Sequence, residues 1–284
     1  MTCNKKFLIP EYDGAEPQVE IIEEGPLPGY YHRALVESWK VFKNLENAPI
    51  LIFFGLMVTL EYFIGFTDFS MSLPGFRLQL PLGIITVIIV RGALFWYYFE
   101  IVATAAFDID ELPEVDLDFG FAFLWNIIKS IYLFVVAFLI TQVPYAVIAT
   151  VIEESMAIKL PYTVKVPMVI VGFSLFPMAI LTIAAGRELW MVFHPGMMIK
   201  PIFKAFPQYM TMATLTVGAI LMQWTMLHYT MGGFQEMIKK GPVIAILMLI
   251  ACIATRMLNI IAMRSIGLFA QHYRCYLPQT HLLD

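Results

Sequence analysis

Residues 80–107, LPLGIITVIIVRGALFWYYFEIVATAAF, form a long apolar stretch interrupted by two charges, Arg91 and Glu100. As a helix these 28 residues rise ~42 Å, more than the ~30 Å hydrocarbon core of a bilayer, so the stretch spans a membrane and tilts or protrudes. The two charges lie nine positions apart. At ~100° per residue that places them on opposite helix faces and ~13 Å apart along the axis, so they cannot neutralise each other. Charge inside a membrane is costly, and each residue needs a partner from another helix. The stretch therefore belongs in a bundle.

The rest of the chain supplies one. Hydrophobic residues make up 60% of the sequence and charged residues 14%, against roughly a quarter charged in soluble domains. Further apolar spans are expected at 49–66, 121–143, 166–185, 209–230 and 242–263. Pro144 offers an end or a kink for the third, and Gly172 and Pro177 a bend in the fourth. The expected fold is an all-α integral membrane protein of about six transmembrane helices with two interfacial amphipathic helices.

The first interfacial helix is read at 30–46, where Tyr31, Leu35, Trp39, Phe42 and Leu45 recur at helical spacing beside basic residues. Trp39, Phe42 and Lys43 are its anchors. The second is read in HPGMMIKPIFKAFPQ, too short and too Pro-rich to cross, with Phe203 and Lys204 as anchors. Phe42, Lys43 and Pro81 recur as Phe203, Lys204 and Pro242 at a constant offset, so both ends of the chain read as surface helix, span, span. Residues 1–28 are polar and rich in Pro, Gly and Glu, which suits an extended arm ahead of the membrane domain at 29–270. The tail at 271–284 is basic and aromatic and suits a helix leaving along the membrane surface.

Arginines and lysines are more numerous on the face that holds the termini, so both termini are expected in the cytoplasm. The small net charge of −4 gives no sign of a nucleic-acid partner. Cys3, Cys252 and Cys275 lack metal-type spacing, and no HExxH, GxSxG or P-loop is present. His228 has no second ligand in view, while Met222 and Met226 suit packing more readily than copper(I). No cofactor is expected beyond contacts with lipid.

The charges within the spans are the candidate site. Glu61 and Arg91 come within reach across the first helical hairpin, about 8 Å and 15 Å below its turn. Glu100 pairs with Arg256, at similar depth, or with Arg187. These pairs are read either as bundle clamps or as the lining of a path. The connection 108–120 carries six acids without calcium-loop register, and a solvated turn accounts for it.

Residues 99–132 resemble a prokaryotic multi-pass membrane family, domain of unknown function 4013. The matching positions are Ala105 and Ala106 before an acidic turn, Leu112 and Pro113 within it, then Asp116, Phe119 and Tyr132. The family's usual turn glycine is replaced around Asp108 and Ile109. The resemblance implies a bacterial or archaeal inner-membrane protein and brings no activity with it. Absent catalytic motifs, the polar arm and the surface helices point to a non-catalytic accessory subunit packed against other integral membrane subunits and lipid. The alternative is a small transporter or channel using Glu61, Arg91, Glu100 and Arg256.

Overall fold

The computed structural model describes residues 25–67, 69–73, 76–107, 111–114, 120–156, 159–186, 195–230 and 233–277. Most of the N-terminal arm, Arg187 and the last residues of the tail lie outside this set. In chain order the helices are α1 (Tyr30–Leu35), α2 (Ala48–Ile64), α3 (Leu82–Ala106), α4 (Phe121–Met156), α5 (Tyr162–Gly186), α6 (Pro195–Lys204), α7 (Phe206–Tyr229), α8 (Gly233–Lys240) and α9 (Pro242–His272). Six of them, α2, α3, α4, α5, α7 and α9, are long and apolar enough to cross a membrane. The protein is an all-α, multi-pass membrane protein.

The continuous surface helix expected over 30–46 is instead three short turns: α1, then 3₁₀ segments at Glu37–Phe42 and Leu45–Asn47. Asn47 explains the break. Its side-chain amide donates to the Val41 carbonyl at 3.0 Å and accepts from the Leu112 backbone N–H at 3.0 Å, tying the segment to the acidic connection. Leu112 is buried there, and the Tyr97 hydroxyl donates to the Pro113 carbonyl at 2.8 Å. Leu-Pro in the acidic turn is thus tucked under the bundle rather than solvated. Tyr31, Leu35, Trp39 and Leu45 all face outward, as a membrane anchor requires.

Between α2 and α3 the backbone pairs as an antiparallel hairpin, β1 (Phe69–Leu73) with β2 (Phe76–Leu80). Its register sets Phe69 opposite Leu80 and Met71 opposite Leu78, with Ser70 opposite Gln79 and Ser72 opposite Arg77 between them. The strict apolar–polar alternation on both sides of Pro74-Gly75 is the signal for it.

Helix α4 does not stop near residue 143 but runs unbroken through Pro144 to Met156. Proline removes one backbone donor, whereas ending a helix exposes several unpaired groups, and that is worse where no water is available. The tip is closed by Glu153, which pairs with Lys165 at 2.7 Å and accepts from the Leu160 N–H at 2.7 Å.

The sixth span also outruns its expected end at residue 263. α9 continues to His272, and almost every residue from Thr255 to His272 is buried. The first residues of the tail therefore do not leave along the surface. Tyr30 packs edge-on against Phe269, His272 and Tyr273, and the Leu27 N–H bonds the His272 carbonyl at 3.0 Å. Burial raises the phenol pKa of Tyr30 and pushes that of Tyr273 up to about 12. Both ends of the described chain thus meet on one face of the bundle. On the same face Lys204 sits 5.0 Å from the Tyr276 ring, while Phe203 is 75% exposed.

α3 and α9 form the centre and run in the same direction. Gly267, late in α9, lies against Val102 and Ala105, late in α3. A side chain at this glycine would meet backbone, so the two helices can approach this closely only without one.

Candidate functional site

The spans bring three of the four expected charges together and leave the fourth apart. Glu61 lies one turn from the end of α2, where the apolar helix has already buried it to 9% exposure. Its Oε1 accepts from Arg91 Nε at 2.8 Å. Its Oε2 accepts from Arg256 Nη2 at 3.0 Å. One carboxylate thereby joins α2 to both central helices, at a depth of ~14 Å from the start of α3.

The expected pairing of Glu100 with Arg256 is not made, because Arg256 points to Glu61. Nor are the two level: Gly267 lies against Val102 and Ala105, so Arg256, three turns earlier in α9, stands opposite Arg91 and not Glu100, and the expected equal depth was measured from an end of α9 that lies beyond residue 263. Arg187, the other expected partner of Glu100, lies outside the described residues.

The arrangement is unbalanced. Two guanidinium groups share one carboxylate, so the cluster carries one positive charge more than negative. Arg256 is 7% exposed, and its Nη1 has no hydrogen-bond acceptor among the described residues. The neighbouring Tyr98 hydroxyl, near Arg256 and Asn259, also lacks one. Asn259 in turn donates to the side-chain carbonyl of Gln223 on α7.

Beside the cluster is a cleft of about 510 Å³, its open mouth included. Glu61, Arg91 and Arg256 line it with Tyr62, Gln223, Thr230, Cys252 and Thr255. The Thr230 and Thr255 hydroxyls donate back to carbonyls of their own helices, and Tyr62 donates to the Ala245 carbonyl at 3.0 Å. Met226 lines the cleft, whereas Met222 and His228 face outward. Among the described residues no group of His, Cys, Asp and Glu is placed to hold a metal ion.

Glu100 lies in a second cleft, between α3 and α4 with α5 behind it, together with Lys129. Lys129 was not singled out from the sequence. A charge eight residues into an apolar helix is nevertheless a visible signal. Gln223, Asn259 and Tyr98 were missed as well, since single polar residues on a span acquire meaning only when neighbouring helices align them.

Fold and site together define a six-span helical membrane protein with a buried, net-positive charge cluster. No family model, curated protein or solved structure matches the chain.

Proposed function

We propose that the chain is a small transporter or channel that takes an anion into the Arg91–Glu61–Arg256 cleft. The observation behind this reading is the charge count. An excess guanidinium in a low-dielectric setting is costly, and an anion that accepts from Arg256 Nη1 offsets that cost. Gln223 gives its carbonyl to Asn259, which leaves its amide N–H groups to donate to the same ligand. Glu61 holds both arginines in position and keeps the empty cleft only singly charged.

The test is anion efflux from proteoliposomes loaded in turn with chloride, nitrate and phosphate. The native protein should release at least one of them well above protein-free vesicles. Arg256→Gln leaves a balanced Glu61–Arg91 pair, so it should fold, elute as a single species and lose the flux. Native vesicles no leakier than empty ones for all three anions would sink the proposal.

The accessory-subunit reading is favoured by a separate observation. α4 is ~54 Å long, well beyond a ~30 Å hydrocarbon core, and Val147, Val151, Tyr162, Val166 and Ile170 are exposed along its far end and the start of α5. Another membrane subunit would cover that surface. Co-migration at fixed stoichiometry in mild detergent, weakened by deleting residues 1–28, is the result this reading requires.

A further inference from the structure

The second cleft sets two opposite charges side by side without pairing them. Glu100 on α3 and Lys129 on α4 both line it, and neither forms an ion pair among the described residues. Both lie within helices that cross the membrane, where an unmatched charge is costly. Measured from the same face of the bundle, Glu100 is ~9 Å from the end of α3 and Lys129 ~12 Å from the start of α4. Each polar zone of a bilayer is about 5–7 Å thick, so the two charges lie a few ångströms below the level of the headgroups.

The cleft opens toward lipid. Lys129 is exposed, and so are its neighbours Trp125 and Ile128, at 58% each, on the same helix. Asn126 and Ser130 add polar groups within the cleft, and Trp96 lines it from α3. A ligand that supplies an ammonium and an anion on one short frame would neutralise both residues and add no net charge.

We propose that this cleft binds the headgroup of an ethanolamine phospholipid. The ammonium donates to Glu100 and to the side-chain oxygens of Asn126 and Ser130, and the phosphate accepts from Lys129. A primary ammonium fits because its three N–H donors match the three acceptors; a choline headgroup has no such donors. The site is distinct from the Arg256 cleft and does not depend on anion transport.

The experiment uses the full-length protein in detergent, with native mass spectrometry and thermal shift as readouts. Ethanolamine, choline and glycerol phospholipids of identical acyl chains are added separately, and O-phosphoethanolamine serves as a free zwitterion. The expected result is retention of the ethanolamine lipid and a matching rise in Tm. Glu100→Gln and Lys129→Gln should each weaken that retention by about tenfold without lowering Tm in the absence of lipid. Equal retention of all three lipids would overturn the proposal. So would an equal effect of O-phosphoethanolamine, which would make the ligand a soluble zwitterion. Loss of Tm in both variants regardless of lipid would make the two charges purely structural.

Discussion

Glu61 carries two ion pairs, so its removal should cost more than the removal of either partner. Glu61→Gln leaves the buried Arg256 and the half-buried Arg91 side by side without a counter-charge, and ~3–5 kcal/mol of stability should be lost. Arg256→Gln should cost less, because the Arg91 pair survives. Thermal unfolding of the three proteins in one detergent checks the order. A smaller effect belongs to Glu37 on the surface segment. The hydrogen bond from Lys40 holds its carboxyl below the usual range, with His32 and Arg33 adding to the effect. A depressed folded-state pKa gives stability that is present above the unfolded value and fades as pH falls through the folded one. Glu37→Gln should therefore lower Tm slightly at neutral pH and converge on the native protein on the acid side of about pH 4, which flattens the acid decline. At this scale the sequence was informative about Glu61 and Arg91, since a single hairpin limits which residues can meet. It was not informative about Arg256, whose partner depends on how a helix distant in sequence is rotated.

At the scale of elements, the central contact between α3 and α9 rests on Gly267. A methyl group there would fall against the Val102 carbonyl and Ala105, which are backbone and a side chain with no freedom to move aside. The nearest atoms to Gly92 are all side-chain ones, Ile127 Cγ2 and the end of Ile131, which can shift without moving a backbone. Gly267→Ala should thus destabilise by ~1–3 kcal/mol and Gly92→Ala by less, as measured by unfolding in detergent. The positions of the spans follow from hydropathy alone, but their ends do not. α4 passes Pro144 and α9 passes residue 263 because an unpaired backbone in lipid costs more than a proline, and because Tyr30 and its neighbours cover the last turns of α9. The β1–β2 hairpin and the amphipathic helix α8 were legible as alternation and as helical periodicity. Their shortness hid them.

For the whole molecule, the bond from Leu27 to the His272 carbonyl brings the two ends to one face, which agrees with an even number of crossings. α8 and the hairpin lie at the other. Single cysteines at Lys43 and at Lys239 in a cysteine-free protein should therefore be labelled by an impermeant maleimide from opposite sides of sealed vesicles. Labelling of both from one side would exclude the six-span arrangement. The lysine and arginine bias further proposes that the Lys43 side is cytoplasmic, and the same experiment reads this directly in oriented vesicles.

The sequence by itself determined that this is a helical membrane protein and where its spans lie, because burial in lipid depends on the local density of apolar residues along the chain. It also marked most of the charges that need partners, since any charge within such a span stands out. Only the tertiary structure decided which charges meet. Pairing depends on helix rotation, crossing direction and neighbour choice, none of which is encoded in a single segment. Those choices placed Arg256 on Glu61, left one guanidinium nitrogen without an acceptor among the described residues, and set Glu100 in a different cleft opposite Lys129.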